Sequence, residues 1–378
     1  MALFASPAIS VGDPLPWMRL RMAPGGDVNF EQFGGLRTAL LFLGTASDPR
    51  VAGILAHLVT AFDALRKEMP VSGFALVPVF ADPASLDHPA VKAWQQRAPV
   101  ILDTGLLIHR AFGLASGNTV RLAGFVTDPQ LIVRNAIEFA DPDSFVAAIA
   151  TALRAQAGGN APNRAPLLII PGVFSAPECD ALVAQYRAST PEGSGYMLKA
   201  PDGKYRLIDD PGRKVRSDVV LAADTELFAQ VMERLRRRVF VQMRRYFMFE
   251  TVALERILLA RYGAAEGGHF RKHRDFGDEG SHREFGLTMN LNEDFQGGAL
   301  AFPEFPGESH KPPPGAALVY SGAITHLVEP VTAGERFCLL SFMMGARGMA
   351  QVERYRAEHG ETIAAHPVAG GLPESFAR

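Results

Sequence analysis

Cysteine is almost missing from this chain. Two residues in 378, Cys179 and Cys338, are too few for a disulfide framework or a four-ligand zinc site. A reducing, cytoplasmic setting is expected. An excess of basic charge is missing too. With 38 basic and 40 acidic side chains, the formal net charge is −2. Nucleic-acid binders ordinarily carry a basic excess, so no nucleic-acid partner is expected. No apolar run reaches the roughly 18–20 residues that cross a bilayer. The opening MALFASPAISVGDPLPWMRL lacks the basic stretch followed by an apolar stretch of a secretory signal. No membrane partner is expected. Internal repeats and low-complexity tracts are likewise missing. What remains is 48% apolar and 21% charged, the profile of a folded protein. Its length exceeds the roughly 100–200 residues of one ordinary domain, so two domains are expected.

The sharpest break is Gln156–Pro166, where Gly, Pro and Asn cluster with little to bury. Such a stretch reads as a linker. It divides a first domain, 1–155, from a second, 167–350, with a helix (Gln351–His359) and tail over 351–378. The first domain alternates strands and helices. Leu36–Leu43 is a continuous apolar run of strand length. Asp48-Pro49 reads as a helix cap with proline at the first helical position. Val51, Ile54, Leu55, Leu58, Phe62 and Leu65 follow at helical spacing. Phe74–Phe80 and Val100–Leu102 read as strands, with a short helix at Ala90–Gln95 between them. Ile108–Phe112 reads as a helical turn. A hairpin, Leu122–Thr127 and Leu131–Ala136, turns at Asp128-Pro129. A last helix spans Asp143–Ala155. This order implies an α/β sheet with helices on both faces.

The second domain has another grammar. Helices are expected at Ala176–Ala188 and Leu227–Phe247. Short strands separated by Gly, Pro and Asp then follow: Arg256–Tyr262, Phe285–Leu291, Ala299–Phe302, Ala316–Tyr320 and Phe337–Met343. That pattern predicts an all-β barrel or double-sheet jelly roll with helices packed outside. The arginine-rich helix Arg234–Arg245 interleaves Leu235, Val239, Phe240 and Met243, which reads as a solvated face over an apolar stripe.

The chemistry concentrates in His269-Phe-Arg-Lys-His273-Arg-Asp275 and in His326. On a strand, residues two apart share a face, so His273 and Asp275 are expected to point into the barrel together. His326, between strands, completes the set from across the sheet. Two imidazoles and one carboxylate on one side of a metal leave three positions open, the facial triad of non-haem Fe(II) oxygenases. A chelating co-substrate takes two of these and O2 the third. Arg336 follows on the strand Glu335–Phe342. A guanidinium inside a barrel predicts an anionic guest, because an unpaired buried charge is costly. A lone His-x-Asp is common by chance, and it is the whole set that points to a metal. The other histidines, His57, His88, His109, His282, His310, His359 and His366, form no competing set and read as surface or packing residues. His269, four positions before a proposed ligand, is a candidate for substrate contact.

Residues 166–345 resemble the Fe(II)- and 2-oxoglutarate-dependent dioxygenases, in their prolyl 4-hydroxylase-like branch. The resemblance rests on Tyr262-Gly, Gly268-His-Phe-x-x-His273-x-Asp275, Arg283, Asn290-Leu-Asn292, Gly297-Gly298-x-Leu-x-Phe302-Pro303, Pro314-Gly315, His326-x-Val328-x-Pro330-Val331 and Gly334-x-Arg336. It implies a double-stranded β-helix core. It also implies Fe(II) held by His273, Asp275 and His326, and Arg336 on the distal carboxylate of 2-oxoglutarate. Tyr262 and Asn290 would touch the same co-substrate, and ascorbate would act as a supporting reductant. Asn290 and Phe270 stand where many members carry tyrosine. The implied reaction is oxidative decarboxylation of 2-oxoglutarate to succinate and CO2, coupled to hydroxylation of a C–H bond. The substrate would be a prolyl or other residue of a peptide or protein, or a small molecule. Phe270 and Arg216, the latter in the polar segment Arg213–Ser217, join His269 as candidate substrate contacts. A non-catalytic 2-oxoglutarate or metal sensor is the alternative.

Residues 10–155 resemble a thioredoxin-like domain of the peroxiredoxin (AhpC/TSA) type. The matching text is Val11-Gly-Asp-Pro-x-Pro16, Ala39–Gly44, Ile101-Leu-Asp103, Ala111-Phe-Gly113 and Arg121-x-x-Gly-Phe-Val-x-Asp128-Pro. Such enzymes need a cysteine thiolate in the first turn of the helix after that strand. Here the region reads Gly44-Thr-Ala-Ser-Asp48-Pro-Arg50, and residues 1–155 hold no cysteine. Thiol chemistry by this domain alone is excluded. A scaffold, a homodimerisation surface or a substrate-docking module remains.

Overall fold

The structure is a computed structural model that describes residues 8–16, 18–69, 73–117, 119–155, 164–199, 205–277, 281–305, 307, 309–360 and 366–367. They divide into two compact units: Met1–Asn163 with Pro303–Pro306, and Arg164–Phe302 with Gly307–Arg378. Most of the expected linker, residues 156–163, lies outside the described residues, as does most of the tail. No helix among the described residues is long and apolar enough to cross a membrane.

The first unit is built on a seven-stranded sheet. Its order is Asp27–Asn29, Arg19–Ala23, Val100–Leu102, Phe74–Phe80, Arg37–Gly44, Ala123–Thr127, Val133–Glu138. Arg37–Gly44 runs parallel to Phe74–Phe80 and antiparallel to Ala123–Thr127. It is buried on both faces, which is why its apolar run is continuous rather than alternating. Ala39, Leu41 and Leu43 pack with the helices Pro49–Glu68, Pro89–Gln95 and Pro142–Ala155. Leu40 and Phe42 enter the opposite core, which is closed by the 3-10 turn Phe30–Phe33 and the short helix Leu107–Ala111. Helices thus lie on both faces, but the long ones share one. Pro49–Glu68 begins where the Asp48 carboxylate accepts the Arg50 amide at 3.0 Å. At the hairpin, Asp128 Oδ1 accepts the Gln130 and Ile132 amides at 2.9 and 3.0 Å. His109 is buried, its Nδ1 2.7 Å from Asp103 Oδ2. The parallel strands flanked by an antiparallel hairpin form a thioredoxin-like fold.

The second unit is a double-stranded β-helix of two facing antiparallel sheets. The larger runs Leu167–Ile170, Ala317–Ser321, Phe285–Asn290, Val331–Met344, Leu258–Gly263, Ser217–Val220, Glu192–Gly193. The smaller runs Lys214–Val215, His269–His273, His326–Val328, Leu300–Ala301, Ser309–His310. The helices Ala176–Ala188 and Glu226–Leu235 share one core with the larger sheet, together with Val239, Phe240 and Met243. The second helix continues through a π-helical turn, Arg236–Phe240, into Val241–Phe247. Its arginines are used locally. Arg234 pairs with Glu178, Arg236 with Glu233, and Arg238 donates to the Gly172 carbonyl. The expected terminal helix spans Ala346–His359, starting five residues earlier than the sequence pattern placed it. His366–Pro367 pairs with Ala253–Leu254.

Candidate metal centre

His273 closes the strand His269–His273, and its backbone partner across the ladder is His326. His326 opens the strand His326–Val328 rather than lying between strands. Asp275 does not share His273's strand, as the two-residue spacing suggested. The chain leaves the ladder after His273, and the amides of Asp275 and Phe276 donate instead to the Gly322 carbonyl, at 3.2 and 2.9 Å. That turn carries the carboxylate to the imidazoles. Asp275 Oδ1 lies 3.8 Å from His273 Nε2, and Oδ2 lies 3.4 Å from His326 Nε2. The ligand atoms of the three residues all fall within 4.8 Å of one another.

The second nitrogens of both rings are fixed by acceptors. His273 Nδ1 lies 2.8 Å from the Arg271 carbonyl oxygen, and His326 Nδ1 lies 3.1 Å from that of Ile324. A carbonyl only accepts, so Nδ1 carries the hydrogen and Nε2 keeps its lone pair for a metal. Burial, helped by the nearby His326, holds the His273 pKa well below the ordinary imidazole value. The ring is therefore the neutral ligand form. The Phe270 ring stacks on His273 with centroids 3.5 Å apart. The Tyr320 hydroxyl donates to Asp275 Oδ2 at 3.0 Å and lies 3.2 Å from His326 Nε2. The donor set of two imidazoles and one carboxylate fits a divalent first-row metal with positions left open.

The triad faces a cavity of ≈ 220 Å³ with Arg336 in its wall. Arg336 is 3% exposed, and no carboxylate among the described residues lies within ion-pair distance of it. Its Nε donates to Asn290 Oδ1 at 2.9 Å, and its Nη2 to Thr288 Oγ1 at 3.3 Å. Nη1 is buried without any partner among the described residues. The guanidinium is therefore aimed by neutral groups and keeps hydrogen-bonding capacity for an anion. Tyr262 pairs with Arg336 across the sheet and sets its ring 5.4 Å from the guanidinium. Burial raises the Tyr262 phenol, which stays protonated. Gly298 is needed close by. It sits at φ +65°, and a Cβ there would come 2.9 Å from Val331 Cγ2 and 3.2 Å from Arg336 Cδ.

Several other cations of the lining have counter-charges. Arg283 grips Glu255 with two hydrogen bonds, of 2.5 and 3.0 Å, and His282 Nε2 lies 2.9 Å from the same carboxylate. Burial alone would raise the Glu255 pKa. Arg283, His282 and Arg256 outweigh it and hold the carboxyl far below its usual range. Arg216 Nη2 lies 2.6 Å from Asp218 Oδ2, and its Nη1 lies 3.4 Å from the Tyr262 hydroxyl. Lys214 differs. Among the described residues, its Nζ donates only to Ser194 Oγ at 2.6 Å and the Gly195 carbonyl at 3.0 Å. Burial, then the repulsion of Arg216, brings its pKa down to about 6.

Among the residues expected from sequence, His273, Asp275, His326, Arg336, Tyr262, Phe270 and Arg216 all line the cavity. Asn290 does not. It stands behind Arg336, its Nδ2 spent on the Pro312 carbonyl at 2.8 Å. His269 does not line the cavity either; the ladder shifts register between Phe270 and His273, and the His269 Nδ1 lies 2.8 Å from the Gly267 carbonyl. Tyr320, Thr288 and Glu255 were missed. Tyr320 and Thr288 sit in apolar strands whose pattern signals only a core, and Glu255 is a lone acid before a strand.

Residues 257–344 match the family model of the 2OG-Fe(II) oxygenase superfamily. This segment is a 2OG-Fe(II) oxygenase domain. It holds His273, Asp275, His326, Arg336, Tyr262 and Asn290, all within the matched span. A prolyl-4-hydroxylase from Pseudomonas putida is 20% identical over 47% of this chain and 92% of its own, with a TM-score of 0.36. A viral collagen prolyl hydroxylase from Paramecium Bursaria Chlorella virus-1 is 17% identical over 50% of this chain and 100% of its own, with a TM-score of 0.35. A cysteine-to-serine mutant of PrxQ from Xylella fastidiosa is 14% identical over 39% of this chain and 98% of its own, with a TM-score of 0.35. No curated protein matches the chain.

Proposed function

We propose that the chain is an Fe(II)- and 2-oxoglutarate-dependent dioxygenase that hydroxylates a C–H bond of a peptide residue or small molecule. The carrying observation is the convergence of His273, Asp275 and His326, ligand atoms within 4.8 Å, on a cavity whose wall includes Arg336, with Nη1 buried and unpartnered among the described residues. When bound, Fe(II) with 2-oxoglutarate supplies activation of O2 and the oxidising power for hydroxylation, with succinate and CO2 released.

The chain's own residues bind, orient and exclude water. His273, Asp275 and His326 hold the metal through two Nε2 atoms and a carboxylate oxygen. Arg336 holds the distal carboxylate of 2-oxoglutarate, aimed by Asn290 and Thr288. The Tyr320 hydroxyl fixes the orientation of the Asp275 carboxylate. Phe270 clamps the His273 ring in its plane. Leu287, Leu300, Val328, Leu340 and Phe342 give the cavity its apolar wall, which strengthens each polar contact inside. Succinate release by the full chain should require both Fe(II) and 2-oxoglutarate and should vanish in His273→Ala. Tight 2-oxoglutarate binding with no succinate under any substrate would mark a sensor instead.

A further inference from the structure

Seven cationic side chains line the cavity, far more than one dicarboxylate needs. Most are accounted for. Arg216 sits on Asp218, Arg283 and Arg256 sit on Glu255, Arg274 donates to Thr325, and Arg336 is reserved for the co-substrate. Two adjacent cations are left with no carboxylate within ion-pair distance among the described residues. Arg213 lies over the Tyr196 ring, 4.0 Å from its centroid. Lys214 is 7% exposed and donates to two neutral oxygens, those of Ser194 and Gly195. Once protonated, the ammonium has three N–H donors, so one is left over for an anion.

Their position is as telling as their charge. The strand Lys214–Val215 pairs with His269–His273, with Lys214 opposite Phe270. Lys214 Nζ lies 4.8 Å from the Phe270 centroid, and Phe270 stacks on the ligand His273 at 3.5 Å. One ring thus separates the amine from the metal-binding imidazole, and both face the same cavity.

We propose that Lys214, with Arg213 beside it, forms an anion subsite that selects a substrate bearing a carboxylate or phosphate group close to the carbon that is hydroxylated. The inference rests on the oxygenase reading for the place of the co-substrate. A buried lysine whose hydrogen-bond partners are all neutral, with Asp218 beyond ion-pair distance and already engaged by Arg216, weakens the fold unless an anion compensates it, so its presence points to a charged guest. Burial brings Lys214 down to about 6, and an incoming anion would restore its proton.

The test uses the full chain loaded with Fe(II) and saturating 2-oxoglutarate in the absence of oxygen. Inorganic phosphate and acetate are titrated calorimetrically into wild type, Lys214→Gln and Lys214→Arg. At least one anion should bind wild type, bind Lys214→Gln about tenfold more weakly or worse, and recover in Lys214→Arg, as loss of a charged hydrogen bond requires. Preference for acetate assigns a carboxylate substrate, and preference for phosphate a phosphorylated one. If neither anion binds wild type, or if Lys214→Gln binds as wild type does, the subsite is overturned. Should Lys214→Gln fail to fold, Arg213→Gln decides by the same criterion. Binding of 2-oxoglutarate is read first. Its failure would sink the oxygenase reading, and the anion titration without it would still judge Lys214.

Discussion

Replacing Arg336 by methionine separates binding from folding more cleanly than any other single change. Methionine keeps the length and apolar bulk of the stem and removes the guanidinium. Among the described residues, no carboxylate lies within ion-pair distance of Arg336, and Nη1 has no partner at all. The fold therefore loses only two hydrogen bonds, to Asn290 and Thr288, and sheds an uncompensated buried charge. Exchanging a buried charge for an apolar side chain of similar size is often neutral or stabilising. The co-substrate loses more. Nη1 and Nη2 can make two charge-assisted hydrogen bonds to a carboxylate, each worth about 1.5–3 kcal/mol. Allowing for the water the carboxylate sheds, about 3–4 kcal/mol is expected, a fall in affinity of roughly 10²–10³-fold. Anaerobic calorimetric titration of the Fe(II)-loaded chain with 2-oxoglutarate reads the affinity, and scanning calorimetry reads the melting temperature. Affinity within threefold of wild type would refute the assignment of Arg336. So would a parallel collapse of stability, which would make the residue structural.

Further outcomes follow from the same structure. Glu255→Gln should cost about 3–5 kcal/mol in denaturant unfolding, because Arg283 and Arg256 lose their buried counter-charge. The folded pKa of Glu255 lies below its unfolded value, so its contribution is full above the unfolded pKa and fades as pH falls through the folded one. The gap between variant and wild type should shrink in acid, and a gap independent of pH would contradict the pairing. Lys214→Met should raise the melting temperature at neutral pH. The folded pKa of about 6 lies below the unfolded value, so the unfolded chain binds more protons between the two. Wild-type stability should thus rise with pH across that window, and the methionine's gain should be largest below it and fade above. Destabilisation by methionine at every pH would show instead that Lys214 holds the fold.

The legible parts of this chain are those where one local rule decides. Arg37–Gly44 reads as a buried strand because both its faces are covered, leaving no polar position. Asp48-Pro49 fixes a helix start through a cap and a preset φ. By contrast, the strand Arg19–Ala23 escaped notice. Arg19 and Arg21 alternate with buried Leu20 and Met22, a short pattern that competes with loop chemistry until a neighbouring strand pairs with it. At the metal centre the residue types were legible, because two histidines, a carboxylate and a following arginine have few joint uses. Their placement was only partly so. Asp275 reaches the imidazoles through a turn held by the Gly322 carbonyl, a contact 47 positions away that spacing alone does not show. Tyr320 stayed hidden for the same reason, and Lys214 was legible only as part of the polar segment Arg213–Ser217. A tyrosine in a core strand and a lysine in a polar segment acquire roles only when the sheets face each other.

The most direct measurement is anaerobic addition of Fe(II) to the full chain, followed by 2-oxoglutarate, with both affinities determined in wild type, His273→Ala and His326→Ala. A single tight Fe(II) site in wild type, iron-dependent binding of 2-oxoglutarate, and loss of both in either alanine variant are expected. Iron binding that ignores both histidines, or 2-oxoglutarate binding indifferent to iron, would contradict the metal-centre assignment.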